Sequence, residues 1–116
     1  MHCLLVDDNA SFLDAARRLL AREGVSVATA SCSAEAMREA DCQRPDMAVV
    51  DIGLGAENGF ELASDLATQG IAVIMTSTRD EDDYADLIAE SPVIGFLPKT
   101  ELSATAIRRM LDSAPA

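Results

Sequence analysis

The stretch Met47-Ala-Val-Val-Asp-Ile-Gly-Leu54 contains the pattern that decides the fold. Four apolar residues run without a break into one carboxylate, Asp51, and the glycines that follow predict a loop. A short uninterrupted apolar run is typical of a strand that is covered on both faces, as the strands of parallel sheets are. The stretch therefore predicts a buried strand that places Asp51 at one edge of a sheet.

The same pattern occurs five times along the chain, each time followed by a helical pattern. Short apolar runs predict strands over residues 2–6, 25–30, 47–50, 71–75 and 93–97. Apolar residues at helical spacing predict helices over residues 9–24, 33–42, 60–70, 81–90 and 102–111. Asn9 or Ser11 is the expected cap of the first helix and Ser33 that of the second, while Gly24 ends the first. Strands that alternate with helices predict an α/β fold: a doubly wound, five-stranded parallel sheet with helices on both faces.

Composition excludes several classes of protein. The 116 residues fit one domain, residues 1–116. Acidic residues outnumber basic ones 20 to 9, and the net charge of −11 argues against direct binding of nucleic acid or of an anionic membrane. The three cysteines include no Cys-x-x-Cys pair, so reduced thiols and the cytoplasm are expected. No apolar run is long enough to span a bilayer, and no secretion signal is expected.

Polar residues follow the predicted strands at their carboxyl ends. Asp7 and Asp8 follow the first strand, Asp51 the third, the triplet Thr76-Ser77-Thr78 the fourth and Lys99 the fifth. The working site of such a sheet lies beyond the carboxyl ends of its strands, so these groups should converge. Three neighbouring carboxylates repel one another, and Mg²⁺ is a cation that binds one or two carboxylates together with water and a phosphate. With a lysine and a hydroxyl beside them, the carboxylates predict a site for a phosphoryl group.

In four ordered motifs the chain resembles the response-regulator receiver domains of two-component signalling. The motifs are Leu4-Leu-Val-Asp-Asp8, Val49-Val-Asp-Ile-Gly-Leu54 with Asn58-Gly-Phe-Glu-Leu62, Val73-Ile-Met-Thr-Ser77 and Gly95-Phe-Leu-Pro-Lys99. The resemblance covers nearly the whole chain and implies a flavodoxin-like strand order. It also implies a signalling switch rather than an enzyme, one that takes part only in its own phosphorylation and autodephosphorylation.

The resemblance assigns a role to each residue of the cluster. It implies that Asp51 accepts the phosphoryl group from a histidine kinase, a phosphotransfer protein or a small phosphodonor. Mg²⁺ would be held by Asp7, Asp8, Asp51 and the backbone carbonyl of Gly53. Lys99 and Ser77 fall on the positions that contact the phosphoryl group, and Phe96 falls on the position of the aromatic switch residue.

The chain departs from the family pattern at two places. Leu54-Gly55-Ala56 replaces a frequent Leu-Pro-Gly, which predicts a looser loop because glycine has more freedom to lose. Thr100 follows Lys99 where the family usually has proline in a cis peptide, so either a trans bond with a shifted lysine or a strained cis bond is expected. The polar triplet leaves the hydroxyl assignment open by one residue, because a slip of one would turn Ser77 to the other face. Arg79, two residues after Ser77, is a candidate to pair with the phosphoryl group or to point to solvent.

Other functions remain open at this point. An aspartyl-nucleophile phosphatase usually has a second carboxylate two residues after the nucleophile, where this chain has Gly53. A receiver that acts only as a binding scaffold generally lacks the acidic pair, the aspartate or the lysine, and a flavin-binding domain needs a phosphate loop after its first strand. The acidic residues of 80–90 and the pair Arg108 and Arg109 predict a homodimer through the last two helices and the fifth strand, with a monomer as the alternative. The domain is either a regulator by itself or part of a longer one.

Overall fold

The computed structural model describes residues 1–55, 57–77 and 85–113. Thr78, the candidate phosphoryl partner Arg79 and the first part of the predicted fourth helix lie outside these residues. The described elements, in chain order, are β1 His2–Val6, α1 Ala10–Arg22, β2 Ser26–Ala30, α2 Ser33–Cys42, β3 Met47–Asp51, β4 Gly53–Leu54, β5 Glu57–Asn58, α3 Gly59–Thr68, β6 Ala72–Ser77, α4 Ala85–Glu90, β7 Gly95–Pro98 and α5 Ala104–Ser113.

Five of the strands form one parallel sheet in the order β2-β1-β3-β6-β7. The chain starts next to the centre, moves outward to β2 and then crosses back to β3, so the strand order reverses between β1 and β3. The predicted doubly wound α/β fold is confirmed. Such a reversal opens a crevice at the carboxyl ends of the two strands on either side of it, and those ends carry Asp7 and Asp51.

Alternating side chains of the strands divide the core into two layers. On one face, α2, α3 and α4 pack on a layer that contains Val50, Met75 and Phe96. On the other face, α1 and α5 pack on a layer that contains Ile74 and Leu97. We call these the α3 face and the α1 face. Both faces of the three inner strands are therefore covered, which explains their uninterrupted apolar sequence.

The predicted caps of the first helix are present in the structure, and the predicted cap of the second is not. The Asn9 side chain caps α1 by accepting a hydrogen bond from the backbone N–H of Phe12, and Gly24 follows the helix with φ of 86°. The predicted Ser33 cap is wrong, because Ser33 is the first residue of α2 and Cys32 precedes it without a side-chain cap. The Ser33 N–H instead donates to the Glu57 carboxylate, from a distant part of the chain.

Several elements differ from the predictions, among them β6, which extends to Ser77 rather than Met75. The glycine-rich segment after Asp51 contains a short antiparallel hairpin, β4 and β5, rather than an irregular loop alone. β7 begins two residues later than predicted, and a 3₁₀ turn over Lys99–Glu101 delays the start of α5 to Ala104. None of the described helices is long and apolar enough to cross a membrane.

Candidate functional site

Three carboxylates meet at the carboxyl end of the sheet. Asp7 and Asp8 follow β1, Asp51 ends β3, and one carboxylate oxygen of each lies within 4.8 Å of the others. The side chains differ in exposure: Asp7 is 1% exposed and Asp51 6%, whereas Asp8 is open to solvent. The cluster predicted from the strand ends is therefore present, with one carboxylate facing solvent and two lying inside.

Lys99 supplies the positive charge of the site. Its Nζ lies 2.5 Å from Asp7 Oδ2 and 3.4 Å from Asp51 Oδ2, and it also lies 4.6 Å from the centre of the Phe12 ring. The bond between Lys99 and Thr100 is trans. The absence of the usual proline therefore does not displace the lysine from the carboxylates. Lys99 is also the only lysine of the chain.

The cluster shifts the proton affinities of its members. Burial and the Asp7 charge raise the pKa of Asp51 above its ordinary value, although Lys99 and the N–H of Gly53 oppose the shift. Burial lowers the pKa of Lys99, but the hydrogen bond to Asp7 and the charges of both aspartates outweigh burial and raise it overall. Three carboxylates thus lie beside one ammonium group, and a further cation would stabilise the cluster.

The backbone of the β4–β5 hairpin lies close to the carboxylates. The Gly53 N–H donates to Asp51 Oδ1 at 3.4 Å. Gly55 has φ of 61°, and a Cβ there would lie 3.4 Å from Asp8 Oδ2. A Cβ on Gly59 would lie 2.2 Å from the backbone oxygen of Asp51, so only glycine allows this approach. The role of the Gly53 carbonyl as a metal ligand stays a prediction.

Ser77 and Phe96 lie on the same face of the sheet. Met75 pairs with Phe96, and Ser77 with Pro98, in the parallel ladder of β6 and β7. Because side chains alternate, Ser77 lies on the side of Met75 and Phe96, the α3 face, whereas Thr76 lies on the side of Ile74 and Leu97, the α1 face. Phe96 and Ser77 are both buried. The strand register therefore places Ser77 and Phe96 on one face of the sheet, as a switch that couples the two residues requires.

Sequence reasoning missed two contributors to the site. The sequence assigns Gly59 to the loop after Asp51, whereas in the structure it is the first residue of α3, which Asn58 caps by accepting from the Phe60 N–H. Glu57 ties the hairpin to α2 by accepting from the Ser33 N–H at 3.1 Å. The sequence around Glu57 gives no local signal of such a contact, since its partner lies 24 residues away.

Residues 3–112 match the family model of the response regulator receiver domain. The chain is 33% identical over 81 residues to the alkaline phosphatase synthesis transcriptional regulatory protein PhoP of Bacillus subtilis, a match that covers 68% of this chain and 34% of PhoP. It is 37% identical over 87 residues to the sensory transduction protein LytT of Enterococcus faecalis, covering 73% of this chain and 36% of LytT. The chain thus spans about a third of the length of these two relatives.

Solved structures agree with this result. The receiver domain of NtrX from Brucella abortus superposes with a TM-score of 0.84 over 97% of this chain and 99% of the NtrX domain, at 22% identity. At that identity the likeness concerns the fold alone. The family match carries the conclusion, and the predicted resemblance is confirmed: this chain belongs to the response regulator receiver domains of two-component signal transduction.

Proposed function

We propose that Asp51 is the phosphoacceptor of this receiver domain. The observation that carries the proposal is the position of its carboxylate, which ends β3 between two further carboxylates and the Lys99 ammonium. Asp51 is buried, and within the described part of the chain its carboxylate makes two long contacts, at 3.4 Å each. Its raised pKa keeps the carboxylate basic while the site remains reachable from the Asp8 side, which is exposed.

The residues of the cluster fit Mg²⁺. Asp7, Asp8 and Asp51 provide three hard oxygen ligands, and the backbone carbonyl of Gly53 is the fourth protein ligand in this proposal. The exposed Asp8 leaves room for the waters that Mg²⁺ retains. When bound, the metal neutralises negative charge on the carboxylates and on phosphoryl oxygens.

The transfer step forms one bond and breaks one. An oxygen of the Asp51 carboxylate attacks the phosphorus of a phosphohistidine, on a histidine kinase or phosphotransfer protein, or of a small phosphodonor. The Oδ–P bond forms, and the bond from phosphorus to the donor breaks with its electron pair returning to the donor. Lys99 is placed to stabilise the negative charge on the transferred phosphoryl group, because its ammonium already lies 3.4 Å from Asp51 Oδ2.

The protein is its own substrate in this proposal. Gly53, two residues after Asp51, carries no carboxyl group that could act as the acid and base of a phosphatase. Residues 1–116 then form one receiver domain that takes part in its own phosphorylation and autodephosphorylation. The free thiols of Cys3, Cys32 and Cys42 fit the cytoplasm, where such thiols remain reduced.

The switch proceeds through Ser77 and Phe96 in this proposal. A phosphoryl group on Asp51 adds negative charge and oxygen acceptors at the end of the sheet. The Ser77 hydroxyl, at the end of the neighbouring strand β6, moves toward these acceptors, and the Phe96 ring on the same face turns into the space that Ser77 leaves. Phe96 has no polar group to bury, so its movement costs no hydrogen bond.

The proposed partner surface is a homodimer through α4, β7 and α5. Asp86 and Glu90 of α4 are exposed, as are Arg108 and Arg109 of α5, and Leu87 of α4 is 51% exposed. A two-fold axis can place each acidic α4 opposite the partner's basic α5. Sedimentation with beryllofluoride should show a dimer at low salt that Arg108→Glu weakens and Arg22→Glu, on exposed α1, does not. A monomer at every concentration would contradict the dimer.

Incubation with acetyl phosphate and Mg²⁺ tests the phosphoacceptor directly. The wild-type chain should gain one phosphoryl mass, and Asp51→Asn or EDTA should abolish the gain. Asp65→Asn, an exposed carboxylate of α3, is the matched control and should be labelled normally. Equal labelling of Asp51→Asn would contradict the assignment.

A further inference from the structure

The end of β6 carries two consecutive hydroxyls that lie on opposite faces of the sheet. Ser77 lies on the α3 face with Phe96, and Thr76 lies on the α1 face with Ile74 and Leu97. Receiver function as proposed above uses only the first. Thr76 is 1% exposed, and among the residues that the structure describes its Oγ1 has no hydrogen-bond partner.

A buried hydroxyl without a partner is costly, because it has given up its hydrogen bonds to water. Valine has the same shape and would carry no such cost. The hydroxyl at Thr76 therefore points to a partner that arrives in another state of the protein. That partner must lie on the α1 face, near the end of β6.

Asp51 is the neighbour of Thr76 across the sheet. The two residues are paired in the β3–β6 ladder, in which adjacent strands lie about 4.8 Å apart. Met47 and Val49 of β3 belong to the layer of the α1 face, so alternation puts Asp51 on the same face as Thr76. The two contacts that the Asp51 carboxylate makes with described residues are long, and Lys99 lies closer to Asp7 than to Asp51.

We propose that Thr76 is a positioning residue whose hydroxyl donates a hydrogen bond to the Asp51 carboxyl group in the phosphorylated protein. The inference rests on the proposed phosphorylation of Asp51. Once the Lys99 ammonium has turned to a phosphoryl oxygen, the Asp51 carboxyl group loses that donor. The Thr76 hydroxyl, on the neighbouring strand and the same face, replaces it.

This bond changes the lifetime of the phosphoryl group. In hydrolysis, a water oxygen bonds to phosphorus, the P–Oδ bond breaks, and its electron pair returns to Asp51 as carboxylate charge. The water gives up a proton, and inorganic phosphate leaves. A donor to the Asp51 carboxyl group stabilises the returning charge and speeds the step. Loss of the hydroxyl should therefore lengthen the lifetime, by the factor that one net hydrogen bond provides, about three- to tenfold.

The test compares Thr76→Val and Thr76→Ser after loading with phosphoramidate and Mg²⁺. We expect Thr76→Val to lose its phosphoryl group about three- to tenfold more slowly than the wild type and Thr76→Ser, which keeps the hydroxyl, to match the wild type. Thr76→Ala is a second variant without the hydroxyl should the valine variant fold poorly. Thr68→Val, an exposed position of α3, is the matched control and should leave the lifetime unchanged.

A second readout separates positioning from a general structural effect. The single lysine gives one side-chain signal in a spectrum of selectively labelled protein, and its shift on phosphorylation should persist in Thr76→Val. Lifetimes of Thr76→Val and Thr76→Ala within twofold of the wild type would overturn the inference, as would a serine variant as slow as the valine variant. A wild-type chain that cannot be labelled at Asp51 would overturn the proposed function and this inference with it. Normal labelling with unchanged lifetimes would overturn this inference alone.

Discussion

The α1 face and the α3 face of the sheet differ in what they carry to the carboxyl edge. On the α1 face, the buried Asp7 and Asp51 and the partly buried Lys99 form a network of charges. On the α3 face, the residues that reach the same edge are Ser77 and the apolar Phe96. The two sets are interleaved along neighbouring strands, so they lie close together although they belong to different layers.

The difference suggests a division of roles, with phosphorylation on the α1 face and the conformational response on the α3 face. In the proposed function, the groups on the α1 face accept and bind the phosphoryl group, and their interactions are mainly electrostatic. Groups on the α3 face can move with little electrostatic cost, because neither carries a charge. Strand alternation alone produces the division, since one residue along a strand changes the face. Substitutions on the α1 face should therefore change stability, metal binding and phosphorylation, and those on the α3 face should change the response.

Replacing Lys99 should have the largest effect. Lys99→Met leaves Asp7 buried without its ion-pair partner, and we expect a loss of about 3 kcal/mol in the free energy of unfolding. Urea denaturation measures it, and Mg²⁺ should restore part of the loss by supplying another cation. Arg22→Met, an exposed cation of α1, is the control and should change little. An unchanged midpoint in Lys99→Met would mean that the pair adds nothing to the fold.

Replacing Asp8 should weaken metal binding while sparing the fold. Asp8 is exposed, so Asp8→Asn should leave the melting temperature nearly unchanged without metal. Removing one carboxylate ligand should raise the dissociation constant for Mg²⁺ about tenfold or more. Titration calorimetry gives the constant, with Asp41→Asn on α2 as the control. Equal affinity in Asp8→Asn would remove Asp8 from the metal site.

Much of this arrangement was predictable from the sequence, for local reasons. Apolar runs that end in Asp7 and Asp51 indicate both a buried strand and the edge at which each carboxylate lies, because parallel strands share one carboxyl edge. The family motifs then gave the strand order, which no local pattern contains. Asn9 and Gly24 were read correctly because caps depend on neighbours in the chain.

The features that the sequence did not predict depend on contacts between residues far apart in the chain. Ser33 was assigned as a cap from its residue type, yet the N–H group at that position is satisfied by Glu57, 24 residues along the chain. The hydroxyl register was open by one residue until the ladder placed Ser77 on the face of Phe96 and Thr76 opposite Asp51. The bond after Lys99 was equally open, since its geometry is set by the turn of Lys99–Glu101 and not by the dipeptide alone.

Ser77 should govern the response of the α3 face. The chain has three phenylalanines, so fluorine-labelled phenylalanine gives few signals, and Phe96→Leu identifies the one that belongs to Phe96. Beryllofluoride should shift that signal in the wild type and in Thr76→Val, whereas Ser77→Ala should lose most of the shift. A full shift in Ser77→Ala together with its loss in Thr76→Val would mean that Thr76, and not Ser77, carries the switch hydroxyl.

Asp51→Asn should produce the smallest effect, a gain in stability. Burial and Asp7 raise the pKa of Asp51, so the folded protein binds this proton more readily than the unfolded chain does. Its contribution to wild-type stability therefore falls as pH rises from the ordinary aspartate value through the folded pKa. At about pH 7 without metal, Asp51→Asn should melt about 5 °C higher, the change that about 1 kcal/mol produces in such a domain, and the gain should shrink toward pH 4. A lower melting temperature would contradict the raised pKa.

Locating the phosphoryl group within the chain tests the central claim most directly. Borohydride reduces an aspartyl phosphate to homoserine, which peptide mass spectrometry can place at a single residue. After treatment with acetyl phosphate and Mg²⁺, we expect homoserine at Asp51 and at neither Asp7 nor Asp8. Homoserine at Asp7 or Asp8, or a phosphoryl group that resists borohydride and maps to the side chain of another residue type, would contradict the assignment of Asp51 as the phosphoacceptor.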